Sequence, residues 1–331
     1  MENITRQMES GDRSLPLLMA IQYFFIQPFS FLIGFFGNLW ILGTFGFRNV
    51  NISKVSKLYY IVMAICDFMV MIKALFWNVL CDSLSIYTGG KISFCFATLS
   101  SLSCAIIHLW YYFAENGSNY AVSALTIERT IAVSVPFLAK RILSIKFTAI
   151  LLAILTLPPF AYYLVAVPIT AEAGKNCRWD SKHILGYIWA VLDLTYAISL
   201  HCIIDFVGVL IILFKLKQSR EKRKELFGKE KISRKESQAT MAMLAIAISN
   251  LVIYGTFMIT RLVSLALDTL QYSSSDFAMS LKGITMFMIQ LTITPHSMNL
   301  FVYLFFVPPF RKAAFCMKDI SASSATKSTT T

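Results

Sequence analysis

The chemistry of this 331-residue chain is concentrated in ionisable side chains that interrupt long apolar runs. Asp67 stands inside "MAICDFMV", and Glu128 and Arg129 stand side by side at the end of another run, with Pro136 and Phe137 following. Lys73, Glu115, Asp193, Arg261 and Lys282 break further runs. A charged group at membrane depth is costly unless it is paired, hydrated or facing a cavity, so each of these is a candidate functional residue. Enzymatic chemistry is not expected, because the sequence offers no nucleophile triad and no phosphate-binding loop. Its seven cysteines, Cys66, Cys81, Cys95, Cys104, Cys177, Cys202 and Cys316, follow no metal-ligand spacing.

Composition sets the elements that must carry these groups. Hydrophobic residues make up 56% of the chain and charged residues 15%, which points to an all-α polytopic membrane protein. Seven runs are long enough to cross about 30 Å of hydrocarbon: Leu17–Phe45, Leu58–Leu80, Phe94–Val133, Phe147–Ile169, Ile184–Phe214, Met241–Leu267 and Phe277–Val307. The expected organisation is an external N-terminus (1–16), a seven-transmembrane-helix bundle (17–307), a short amphipathic eighth helix (308–318) and a disordered tail (319–331). The start of the chain lacks the basic, short apolar pattern of a cleaved leader, so the first run is expected to stay as an anchor.

The net charge of +12 does not read as nucleic-acid binding, because the basic residues lie between apolar runs. Arg48, Lys54 and Lys57 fall in the first connection, Lys140, Arg141 and Lys146 in the third, ten more between Lys215 and Lys235, and Arg311, Lys312, Lys318 and Lys327 in the tail. The positive-inside rule puts these in the cytoplasm and the N-terminus outside, with the basic loop facing anionic lipid. Asn3-Ile4-Thr5 then becomes an external glycosylation acceptor. Cys104 precedes Arg129 by 25 residues, about 37 Å of helix. The two therefore mark opposite rims, and Cys177 in the outer loop "AEAGKNCRWD" is the natural bridge partner of Cys104. Whether Cys81 and Cys95 form a second bridge is open.

This ordered set of marks resembles the rhodopsin-like (class A) G-protein-coupled receptors. It comprises Gly37-Asn38, Asp67, Glu128-Arg129-Thr130 with Ile131-Ala132-Val133 and Pro136-Phe137, and Asn299 to Tyr303 as "NLFVY". The resemblance implies a plasma-membrane receptor that takes an extracellular ligand and activates a heterotrimeric G protein. It further implies a switch in which Arg129, held by Glu128 and by Glu236 at the base of the sixth helix, is released for the partner, with Asn299 and Tyr303 taking part. It places Ser118 and Asn299 beside Asp67 in a polar pocket that can hold sodium, with His296 as an unusual neighbour. Cys316 in the eighth helix is a palmitoylation candidate, with Phe310 and Phe315 expected on the membrane side, and the Ser/Thr-rich tail offers phosphorylation sites for an arrestin.

Several positions depart from that pattern. Tyr254 in "IYGT" replaces the sixth-helix tryptophan and no kinking proline follows, while Asp205 stands where the fifth helix commonly has proline. Gly208 and Gly255 are the expected sources of flexibility instead. Tyr111 occupies the position of the amine-receptor aspartate, and Ile293 that of the retinal lysine, so neither ligand type is expected. The ligand wall is expected to comprise Lys73, Tyr111, Tyr112, Glu115, Asp193, Tyr254, Arg261 and Lys282, supported by Trp77 and Trp110. Such a wall suits a short amidated neuropeptide, with small-molecule chemosensation as the second reading. A seven-helix transporter or channel is the competing class, and it requires charges in a continuous path across the membrane.

Overall fold

The computed structural model describes residues 21–89, 91–92, 94–171, 191–192, 194–195, 199–227, 234–269 and 276–316. Among them all regular structure is helical and no strand occurs. The long helices are α1 (Gln22–Phe47), α2 (Lys54–Tyr87), α3 (Ser101–Ser134), α5 (Ile145–Ala171), α6 (Leu200–Phe227), α7 (Arg234–Thr269), α8 (Asp276–Leu291) and α9 (Ile293–Phe306). Two short α-helices, α4 (Pro136–Ile142) and α10 (Pro308–Ala314), and a 3-10 turn at Phe96–Thr98 also occur.

Prolines and serines explain several boundaries. Ser53 caps α2 by accepting from the Ser56 N–H at 3.0 Å, and Ser100 and Ser103 form a reciprocal capping box at the start of α3. Pro136 opens α4 at the first helical position, where its missing N–H costs nothing. Pro295 can neither donate to the carbonyl four residues back nor avoid it, and the rod breaks at Thr292 into α8 and α9. Pro28 acts likewise on α1: the first residues, Gln22–Ile26, widen to a π-helix, and the Tyr87 hydroxyl donates to the Phe24 carbonyl that Pro28 leaves free. A second π-helical stretch, Leu75–Ser83, lies in the outer part of α2, and Cys81 within it is disulfide-bonded to Cys95.

α3 lies at the centre, touching α2, α5, α6 and α7, while α9 closes the assembly by packing on α1, α2 and α7. Each helix is patterned for an apolar solvent. On α1 the stripe Phe25, Phe29, Leu32, Phe36 is exposed, and Gln27, Ser30, Gly34, Gly37 and Asn38 face inward. On α6 the exposed stripe is Ile203, Phe206, Leu210, Phe214. Small and polar residues at helix contacts, with large apolar ones outward, are what lipid selects. A Cβ at Gly208 would overlap Thr126 Cγ2, so this glycine serves the close approach of α6 to α3 rather than flexibility. The inner half is filled by Ile41, Phe45, Tyr60, Met63, Leu125, Met243 and Tyr303, all at 1% exposure or less.

Among the described residues three helices are long and apolar enough to cross a membrane: Gln22–Phe47, Lys54–Tyr87 and, within α7, Thr240–Leu267. The chain is thus a helical protein with membrane-spanning segments. α4 and the part of α5 up to Ala161 meet the same test jointly, bent by 89°. α8 and α9, at 16 and 14 residues, are each too short alone because Pro295 divides them.

Phe310 corrects the expected eighth helix. It is fully buried, with its ring 5.0 Å from that of Phe45 and 5.7 Å from that of Tyr303, while Phe315 is half exposed. Only one of the two residues therefore faces outward, and α10 is plugged into the bundle. The Arg48 guanidinium holds it there, donating to the carbonyls of Ala313 and Ala314.

Candidate functional site

The site has three levels joined by side chains. At one end is a cavity of about 170 Å³ between α2, α3, α8 and α9. Val70, Glu115 and His296 form its floor, Lys73, Tyr111, Tyr112 and Ile293 its middle, and Trp77, Asn78, His108 and Gln290 its mouth. This order follows from chain direction: α2 runs opposite to α3, α8 and α9, so a step of one turn forward on α2 matches a step of one turn back on the other three. The Lys73 ammonium lies 3.9 Å from the Tyr111 ring centroid and 5.5 Å from that of Trp77. At the mouth, Gln290 Oε1 accepts from Asn78 Nδ2 at 2.7 Å and from Gln27 Nε2, tying α1, α2 and α8 together.

Below the floor, a polar chain leads into the core. The Tyr254 hydroxyl donates to Glu115 Oε1 at 2.8 Å and lies 2.9 Å from His296 Nε2, and His296 Nδ1 is 2.7 Å from Asp67 Oδ1. Tyr254 has a single proton. When that proton goes to Glu115, His296 Nε2 must donate to the Tyr254 oxygen while Nδ1 donates to Asp67, so both ring nitrogens carry hydrogen. The alternative is one proton moved along the same line, with Glu115 protonated and Tyr254 donating to His296. The chain thus holds one shared proton between two carboxylates.

Asp67 is the hub at the inner end of this chain. It is fully buried, and Ser118 Oγ and Asn299 Nδ2 also donate to it. His296 and Asn299 are three residues apart on α9 and so share a face. Asn38 Nδ2 donates to the His296 carbonyl at 3.0 Å, which brings in α1. A buried carboxylate is tolerable only when surrounded in this way. Ser118, Asn299 and His296 together occupy three of the roughly four acceptor sites of the Asp67 carboxylate, so a cation here would have to displace one of these donors.

The third level is the inner end of α3. Arg129 Nη2 is 3.7 Å from Glu128 Oε1, an ion pair too long for a hydrogen bond, and it donates to Ser56 Oγ on α2. Glu128 Oε2 and Arg129 Nε are buried without partners. The guanidinium is therefore held loosely, with donor capacity in reserve. Beyond it, Pro136 starts α4 and Phe137 projects almost fully into the surroundings at 89% exposure.

No protein-family model matches the chain, and no curated protein does.

Of the expected ligand wall, Lys73, Tyr111, Tyr112, Glu115 and Trp77 line the cavity. Tyr254 does not: it sits behind the floor, 2% exposed, linking Glu115 to His296. Arg261 is exposed on the outer part of α7 and is not among the lining residues. Trp110 also faces away, with its Nε1 donating to the Met69 carbonyl at 3.0 Å. Asp193, Cys177 and Asn3 lie outside the described residues, and for Glu236 and Lys282 the description extends only to the backbone, in α7 and α8. Cys104 is disulfide-bonded, and Cys316 is free and exposed. Tyr303 is buried, its ring 4.7 Å from that of Tyr60, and its hydroxyl has no partner. Asn78, His108 and Gln290 at the mouth carry no local signal, since uncharged polar residues in an apolar run are common and Gln290 lies just before the break that Pro295 makes.

Proposed function

We propose that this chain is a seven-helix receptor of the rhodopsin-like kind, set in the plasma membrane with its N-terminus outside, which passes binding of an extracellular ligand to a heterotrimeric G protein. α8 and α9 together form the last of the seven crossings. The observation that carries the reading is the unbroken polar chain Glu115–Tyr254–His296–Asp67, which joins a cavity floor to the hub where α1, α2, α3 and α9 meet. A ligand charge at Glu115 biases the shared proton, the proton biases the grip of Asp67 on Ser118 and Asn299, and the helices that carry Arg129 and Tyr303 respond. This is a population shift driven by differential contacts.

The packing is less suited to a transporter. Between Asp67 and Arg129 the space is filled by Tyr60, Met63, Leu125 and Tyr303, each at 1% exposure or less, and Asp205 on α6 is the one acid buried beside this stretch of α3 among the described residues. On the inner face, the released Arg129 and the projecting Phe137 are assigned to the G protein, with Glu236 as a second holding group. Cys104 is disulfide-bonded, and a bridge from it to Cys177 belongs to the same proposal. Glycosylation at Asn3, palmitoylation at Cys316 and arrestin recruitment by the tail belong to the same proposal. The cavity, at about 170 Å³, lies below the roughly 300–1,000 Å³ of pockets that hold drug-sized ligands. It favours a small molecule over a peptide, of which only one end would enter.

The test uses Arg129→Ala and Tyr254→Phe in cells, with surface display measured beside G-protein nucleotide exchange. Basal or ligand-driven exchange is expected to fall to background in Arg129→Ala and to lose its ligand response in Tyr254→Phe at normal surface display. Exchange unchanged in both would refute the reading.

A further inference from the structure

The cavity carries two opposite charges that do not pair with each other. Lys73 makes no ion pair within 4 Å and no hydrogen bond among the described residues; its ammonium lies against the Tyr111 and Trp77 rings, with Glu115 and Asp82 as the acidic groups near enough to act on it through space. Glu115 accepts one hydrogen bond, at Oε1 from Tyr254, and its other oxygen takes none among the described residues. Tyr111, which marks the level of the Lys73 ammonium, precedes Glu115 by one helical turn on α3, about 5.4 Å of rise. At the mouth, Asn78 Oδ1 is buried without a partner. An unpaired cation, a half-paired carboxylate and an orphaned acceptor therefore line one small space.

We propose that the ligand of this cavity is a small zwitterion carrying an ammonium and a carboxylate a few methylene groups apart, the ammonium seated on Glu115 and the carboxylate on Lys73. This deepens the receptor reading above and rests on it for placing the ligand in the cavity. The alternatives fail on desolvation. An apolar ligand would strip water from Lys73, Glu115 and Asn78 Oδ1 and give nothing back. A ligand with a single charge would satisfy one wall and strand the other. Size agrees, because an apolar cavity of about 150 Å³ accommodates benzene, and an ω-amino acid of moderate length is comparable. The aromatic rings of Tyr111, Tyr112 and Trp77 supply the surface for the methylene chain. The ammonium lands on the carboxylate that begins the Tyr254–His296–Asp67 chain, so binding and signal share one atom group.

The experiment uses the purified full chain in phospholipid nanodiscs at constant ionic strength, without G protein. The probes are ω-amino acids from glycine to 6-aminohexanoate, with n-butylamine and butyrate as the two halves, and stabilisation against thermal unfolding is read as a function of concentration. One chain length is expected to half-saturate at least about tenfold below both butylamine and butyrate, a difference of roughly 1.4 kcal/mol. Lys73→Gln is expected to remove the advantage over butylamine and Glu115→Gln the advantage over butyrate, while Lys73→Arg, which keeps the cation, retains the first and shows that the pocket is intact. A zwitterion no better than its halves, variants that bind it as well as the parent, or no stabilisation by any probe would each overturn the proposal. Because binding is read without G protein, a zwitterion that binds but drives no nucleotide exchange would count against the receptor reading alone.

Discussion

Replacing His296 by leucine tests the polar chain at its middle. The change removes two hydrogen bonds, at 2.7 Å to Asp67 and 2.9 Å to Tyr254, and leaves a fully buried carboxylate with two donors instead of three. If the imidazole is a neutral spacer, the loss is that of two intramembrane hydrogen bonds at about 0.6 kcal/mol each, or about 1.2 kcal/mol. If it is doubly protonated, as the single Tyr254 proton directed at Glu115 requires, the variant strands a buried charge at a cost of about 3–5 kcal/mol. A chain of this size moves its unfolding midpoint by about 2 °C per kcal/mol, so the two cases differ as about 2 °C against roughly 6–10 °C. The assay is thermal unfolding of the purified full chain in nanodiscs, parent beside variant. We expect the larger drop, and we expect Asp67→Asn in the His296→Leu background to restore part of it, because a neutral amide leaves no charge unpaired. A drop near 2 °C with no recovery in the double variant would refute the charged-imidazole reasoning.

Two further outcomes follow from packing and exposure. Gly208→Ala places a methyl where Thr126 Cγ2 already lies, so it is expected to destabilise by about 1–3 kcal/mol, and Thr126→Ser, which deletes that methyl, should recover most of the loss in the double variant. Thermal unfolding measures both, and an additive double variant would argue against the contact. Cys316 is free and exposed whereas Cys66 and Cys202 are free and buried. A thiol reagent applied to the folded chain after hydroxylamine treatment should therefore label at Cys316 first, and Cys316→Ser should abolish that fast phase in a peptide-mapping time course.

How much of this could be read in advance depended on the residue. Asp67 announced itself because a carboxylate in an apolar run is expensive, and the same argument drew attention to Lys73 and Glu115. It failed at Arg261, which has the same membrane depth but points away from the cavity. Depth is legible from hydropathy, whereas azimuth needs a polar stripe, and in helices apolar on nearly every face that stripe is faint. Tyr254 was expected on the ligand wall because it occupies the position of an aromatic toggle; that its hydroxyl bridges Glu115 and His296 depends on helix packing that no local pattern encodes. Phe310 shows the same limit in a seven-residue helix, too short to display a period. The Cys81–Cys95 bond joins residues 14 positions apart, and only the fold of the outer end of α2 brings them together.

The π-helical stretch Leu75–Ser83 sets which way the far end of α2 faces. A π-turn accommodates one residue more than an α-turn. Each residue turns an α-helix by about 100°, so removing one from this stretch would rotate everything outward of it by about that angle relative to the half carrying Asp67. Cys81 would swing away from Cys95, and Asp82 would face a different neighbour. The facing of the residues beyond Leu75 is therefore set by this stretch, and the two parts of α2 do not share one uninterrupted α-helical register.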